Sequence, residues 1–338
     1  MTGLINPEID ALLKDTSRSF YLTLEMLPKK IRGQVGLLYL LARIADTIAD
    51  TKTGSAEILI NTLQEYDSVA QGHSNELPEF ESIAALQEHD GERRLLGNVS
   101  KVISAMENYG EEDQKRIRKC LGIIIGGQAL DLQRFGPANE SGSISALKQP
   151  EELDDYAYRV AGSVGEFWTG MTLAHIIRFK PNKEEEIFDL GVRFGKALQM
   201  INILRDIPED LRFGRCYIPA NSLQSVGLSA TDLLDPKNID SLRPLYNQLL
   251  DITDGHLDAA VKYVGLLPYT QFRLRAACML PILIAQRTVD MLREQNVLDA
   301  EKRVKVSREE IKILIKKTKR SLIIPGGSQK LLKTNRDA

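Results

Sequence analysis

The chain has 338 residues, of which 43% are hydrophobic and 27% charged, a composition that excludes disordered and fibrous classes. Its 44 basic and 46 acidic residues leave a formal net charge of −2, which argues against wholesale nucleic-acid binding. Three cysteines, Cys120, Cys216 and Cys278, stand far apart with no CxxC pair, so no disulfide framework is expected and a reducing cytosol fits.

Taken in chain order, helical periods dominate and strand signals are nearly absent. The opening segment, Met1 to Asp15, carries acids where a signal peptide would carry a basic start and an apolar core. Pro28 suits a helix start, and the pattern runs to about Thr51, where Lys52-Thr53-Gly54-Ser55 stops it. Further helices are predicted over roughly 56–70, 92–108, 112–134, 151–178, 184–206, 228–234, 240–265, 269–295 and 307–321. Stretches 71–78 and 137–150 read as surface loops. Ser307-x-x-Glu310 reads as a capping box. No run reaches the roughly 18–20 apolar residues of a membrane span. No GxGxxG follows a strand, so a Rossmann unit is not expected. The prediction is an all-α single domain over 1–338, ending in a basic helix and tail from about 304.

That tail holds an asymmetry the total conceals. From Glu301 onward there are twelve basic residues against four acidic ones, so the tail is +8 and the remainder −10. The helix from Ile311 to Arg320 is basic and partly apolar. It reads either as a solvated terminal helix or as one resting on anionic headgroups at the inner membrane.

Two acidic constellations stand out. Tyr39, Arg43, Asp46 and Asp50 step by 4, 3 and 4, which places them on one helix face. Gln199, Asn202, Asp206 and Asp210 step by 3, 4 and 4, although Pro208 must kink or end that helix. Taken alone, an Asp-x-x-x-Asp pair is more often a solvated acidic face with a local arginine partner. Two such faces in one all-α chain suit a shared task. Carboxylate oxygens are the ligands Mg²⁺ prefers, with substrate phosphates completing the shell. Arg43, Arg205, Arg212 and Arg215 are suited to the remaining phosphate oxygens.

Five segments in order resemble the squalene/phytoene synthase family. They are Asp15 to Phe20, Tyr39 to Asp50, Tyr156 to Gly165, Gln199 to Asp210 and Gly214 to Pro219, and the resemblance covers roughly residues 15–295. It implies an isoprenoid-synthase helical bundle around a central cavity. By position it implies that Asp46, Asp50, Asp206 and Asp210 hold Mg²⁺ (or Mn²⁺) on diphosphates. Arg18, Arg43 and Arg215 lie at positions near the diphosphates, and Gln199 and Asn202 line the second acidic helix. Tyr39 and Arg205 complete the expected substrate-binding set, and Tyr156 lies near the reacting carbons.

The implied partners are isoprenyl diphosphates, not nucleic acid. The implied reaction joins two farnesyl diphosphates head to head through presqualene diphosphate. Reduction by NADPH then gives squalene. Ser17-Arg18-Ser19-Phe20 and Asp46-Thr47-Ile48-Ala49-Asp50 look more like the squalene branch than the phytoene branch. Dehydrosqualene, hydroxysqualene or phytoene formation without reduction is the alternative. A head-to-tail elongase or terpene cyclase lacks the Tyr156 to Gly165 segment. A non-catalytic assembly factor of the same fold would have lost the aspartates.

Overall fold

The computed structural model of the protein describes residues 6–17, 20–52, 55–138 and 143–335. Packing divides the chain into two compact units, 1–139 with 167–178, and 140–166 with 179–338. The fold is all-α, with one short parallel strand pair among the described residues.

The first unit is built on α3 (Lys29–Ala49), whose Ile31, Leu37, Leu38, Leu40, Leu41, Ile44 and Ile48 are buried. Apolar positions that recur around so much of the helix mean it must be covered on several sides. It packs against α1 (Pro7–Ser17), α2 (Phe20–Met26), α4 (Ala56–Gln71), α6 (Asp90–Leu96), α7 (Val99–Ser104) and α8 (Glu111–Phe135), with α5 (Glu81–Ala85) against α6. Pro28 stands immediately before α3, at its cap position, in extended backbone. Helix α4 starts with Ser55 accepting from the Ile58 amide and ends at Gly72, whose φ of 82° needs a residue without a Cβ.

The second unit begins with β1 (Ser145–Ala146) and α9 (Pro150–Ala157). A π-helical turn over Tyr158–Gly162 follows and runs into α10 (Ser163–His175). Against this turn lies α11 (Pro181–Arg205), followed by α12 (Ile207–Arg212), β2 (Arg215–Cys216) and α13 (Ala220–Ser225). Strand β2 pairs with β1, Arg215 opposite Ser145. The long helices α14 (Ile239–Leu266) and α15 (Phe272–Glu294) form the body, and α14 packs along α11. The tail forms α16 (Arg308–Leu322) and α17 (Gly327–Thr334).

The Tyr156 to Gly165 segment has a packing reason for its glycines. A Cβ on Gly165 would lie 1.9 Å from the Gly191 carbonyl oxygen, and one on Gly195 2.0 Å from that of Ala161. Both contacts are backbone to backbone, so any side chain would force the π-turn off α11. Single-turn π segments mark sites where the chain must shift its register for a purpose. Here the turn brings the Tyr156 helix flush against the helix that leads to Asp206.

The tail is packed rather than free. Val304, Val306, Leu314 and Leu332 are buried, and Gln286 of α15 donates to the Leu332 carbonyl at 2.9 Å. Half of the expected capping box forms. Ser307 accepts from the Glu310 amide at 3.1 Å, while the Glu310 carboxylate takes Arg287 at 2.8 Å instead. No described helix is long and apolar enough to cross a membrane.

Candidate active site

In the first unit the acidic face of α3 forms as its spacing predicts. Asp46 lies on the last turns of the helix, and Asp50 caps it, its amide donating to the Asp46 carbonyl at 2.8 Å. Asp50 is exposed. Gln128, buried on α8, donates to Asp46. Arg43 pairs with Glu92 of α6 and stands 3.9 Å from Asp46. Desolvation first, then the neighbouring Asp50 charge, push the Asp46 carboxyl up from 3.8 to about 7. Its side chain is nevertheless 44% exposed, so this is a carboxylate crowded by protein yet reachable from solvent. Tyr39 shares the face, but its hydroxyl donates to the Thr16 carbonyl at 3.0 Å and its ring stacks on Phe20.

In the second unit the chain breaks at Asp206. Helix α11 ends at Arg205, Asp206 takes φ −99° and ψ 17°, and α12 starts at Ile207 with Pro208 in its first turn. Pro208 has no N–H to give the Leu204 carbonyl four residues back. That carbonyl is buried, and an orphan there would be costly. Tyr246 of α14, fully buried, supplies the missing donor with its hydroxyl at 2.8 Å. Burial also pushes the Tyr246 phenol well up, so it stays protonated and able to donate.

At the break Asp206 meets two arginines. Arg205 grips it through both oxygens, at 2.8 and 2.5 Å. Arg303, from the stretch ahead of α16, reaches it at 2.9 Å and Glu209 at 3.2 Å. Gln199 and Asn202 lie on α11, the first half-buried and the second exposed. Asp210 lies on α12 and Arg215 on β2, both half-buried. Tyr156 stacks on Tyr217, ring centroids 4.7 Å apart, with the hydroxyls 3.3 Å apart. Arg212 lies over the Phe213 ring. Arg18 falls outside the described residues.

Sequence reasoning missed Gln128, Glu92, Arg303 and Tyr246. None belongs to a local pattern, and each meets its partner only through tertiary packing. Only Tyr246 had a local cue, because Pro208 announces a carbonyl in need of a donor.

Among the described residues, no three His, Cys, Asp or Glu side chains gather into a group that could hold a metal by themselves. The donor chemistry still fits Mg²⁺, which takes one or two carboxylates and leaves the remaining positions to water and phosphate oxygens.

The squalene/phytoene synthase family model matches residues 13–310. A bifunctional lycopene cyclase/phytoene synthase from Phaeosphaeria nodorum is 30% identical over 72% of this chain and 40% of its own length. A squalene synthase from Eremothecium gossypii is 26% identical over 83% of this chain and 60% of its own length. The chain thus spans about half the length of these curated relatives. The solved complex of TcSQS with the ligand E5700 shares the fold, with a TM-score of 0.79 at 19% identity, covering 97% of this chain and 88% of that one.

Two outcomes follow from this geometry. Below about pH 4 Asp46 is protonated whether folded or not. As pH rises toward 7 the unfolded chain releases that proton and the folded chain keeps it, so stability falls through this window. Asp46→Asn should therefore be more stable than the wild type in metal-free urea denaturation at about pH 8, by about 1–2 kcal/mol after discounting for solvent screening. The difference should shrink toward zero near pH 4. Tyr246→Phe leaves the Leu204 carbonyl unsatisfied and should cost about 1–3 kcal/mol, read as a lowered denaturation midpoint.

Proposed function

The chain belongs to the squalene/phytoene synthase family, a family of prenyltransferases, and on that premise we propose that it condenses two farnesyl diphosphates head to head through presqualene diphosphate and reduces the product to squalene with NADPH. The observation that carries this reading is that two intact acid pairs, Asp46 with Asp50 and Asp206 with Asp210, each lie among cationic or amide partners. A non-catalytic relative would have no reason to keep both.

Asp46, Asp50, Asp206 and Asp210 are the residues that would hold the metal. Bound there, Mg²⁺ supplies positive charge where the leaving diphosphate develops its own. Gln128 and Arg43 keep Asp46 oriented. Arg205 and Arg303 neutralise Asp206 in the structure; when diphosphate arrives, their N–H groups are well suited to its oxygens, since guanidinium binds phosphate bidentately. Arg18, Tyr39, Gln199, Asn202 and Arg215 complete the substrate-binding set. Positioned donors of this kind stabilise charge that forms on ionisation more than charge already present.

Tyr156 serves the carbon chemistry. Its phenol bonds the Tyr217 phenol, and the stacked pair offers both a hydroxyl to take up or hand on a proton and a ring face to a passing carbocation. Buried cysteines without disulfides support a reducing cytosol as the place of action.

The second reading, supported by a phytoene synthase relative, ends the C30 cation by proton loss, giving dehydrosqualene, or by water, giving hydroxysqualene, or forms phytoene by proton loss from the corresponding cation of two C20 diphosphates. Purified protein incubated with Mg²⁺ and farnesyl diphosphate should give squalene only when NADPH is present, and Asp206→Asn should lower turnover by at least about a hundredfold. Dehydrosqualene regardless of NADPH, or phytoene from geranylgeranyl diphosphate, would replace the leading reading with the second. Full activity in Asp206→Asn would overturn the metal assignment.

A further inference from the structure

Four of the large apolar side chains exposed on the second unit lie in two of its turns, while Leu234, Ile252 and Ile313 are exposed elsewhere on it. The turn joining α14 to α15 exposes Tyr269 (48%) and Phe272 (58%), and the turn joining α16 to α17 exposes Ile323 (79%) and Ile324 (55%). These two turns are neighbours. Gln329 of α17 lies against Gly265 in the last turn of α14, and its amide donates to the Val261 carbonyl at 3.4 Å. The start of α17 therefore lies beside the end of α14. Ile323 and Ile324 come just before the first, and Tyr269 and Phe272 just after the second. Single exposed isoleucines are ordinary on a soluble surface. Four large apolar side chains from two separate turns at one end of a helix bundle are not.

The two segments that carry them hold charge of one sign. From Ala259 to Val289 the sequence has no Asp or Glu, and from Ile311 to Arg336 it has none either. Lys262 and Arg273 are exposed on the first segment, and Lys319, Arg320 and Lys330 on the second. Apolar tips ringed by cations match the chemistry of a bilayer interface. The side chains enter the headgroup boundary, and the cations meet anionic lipid.

We propose that this end of the second unit docks on the surface of an anionic lipid bilayer, with Tyr269, Phe272, Ile323 and Ile324 as the inserted side chains. The geometry is end-on: two helix-hairpin turns touch the membrane while the flank of α16 does not. Other occupants fit less well. A second copy of the same patch would set like charges against each other. Nucleic acid binds exposed side chains by stacking on aromatic faces, and two of these four residues are isoleucines with no such face. This inference is independent of which isoprenoid the enzyme makes.

The test is co-sedimentation of the full chain with phosphatidylcholine vesicles, with and without phosphatidylglycerol, at low and high salt. Duplex DNA serves as a competitor, and circular dichroism checks the fold of each variant. The wild type should bind the anionic vesicles best and lose binding as salt rises. Phe272→Ser and the double variant Ile323→Ser/Ile324→Ser should each lower the partition coefficient about tenfold or more. Lys319→Glu/Arg320→Glu should do the same. Ile313→Ser, at an exposed position nearer the start of α16 (52% exposed), should leave binding unchanged. The proposal fails if the wild type ignores anionic vesicles, if the turn variants bind as well as the wild type, or if Ile313→Ser weakens binding as much as they do. It also fails if DNA displaces the vesicles.

Discussion

The candidate site of the second unit depends on a helix that is made to stop. Pro208 removes one backbone bond and Tyr246 makes good the loss, so α11 ends at Arg205 without leaving a buried carbonyl unpaired. Had the helix continued, Asp206 would have pointed along the same face as Asn202 and Gln199. The break instead delivers its carboxylate to Arg205 and Arg303, and it restarts the chain as α12 with Asp210 on a separate short helix. A proline that looks like a blemish in an acidic helix is what lets two aspartates be aimed independently.

The first unit solves the corresponding problem differently. Here α3 is unbroken and deeply buried, so Asp46 and Asp50 inherit their positions from a rigid helix. Their mutual repulsion is answered by Gln128 on α8 and, one turn back on α3 itself, by Arg43 held against Glu92 of α6. Burial first and the neighbouring Asp50 charge second outweigh these partners and raise the Asp46 carboxyl. The two acid pairs thus differ in backbone support and in charge: Asp46 is only partly offset by Gln128 and Arg43, while Asp206 is paired with Arg205 and Arg303.

The sequence made the elements legible wherever an apolar period ran for more than about three turns. The predicted 56–70, 112–134, 184–206 and 240–265 helices correspond closely to α4, α8, α11 and α14. Short helices escaped it: α5, α12 and α13 have five or six residues each, too few for a periodic signal to rise above composition. Helix α17 was not among the predicted helices; it is short, and Leu332 and Ser328 are buried in it. At the candidate site, the residues within each local spacing were readable and their partners were not. Glu92 lies 49 residues from Arg43, Gln128 82 from Asp46, and Arg303 97 from Asp206. Nothing in a linear pattern joins positions so far apart. The basic tail helix, expected either solvated or resting on a membrane, buries Leu314, Thr318 and Ser321 on one face.

On the proposed function, both acid pairs bind a diphosphate through Mg²⁺. Calorimetric titration of farnesyl thiodiphosphate, an unreactive analogue, measures this without turnover. Binding is expected to require Mg²⁺ and to weaken at least about tenfold in Asp50→Asn and, separately, in Asp210→Asn. Binding of the analogue that is equally tight without Mg²⁺, or unchanged in either variant, would contradict it.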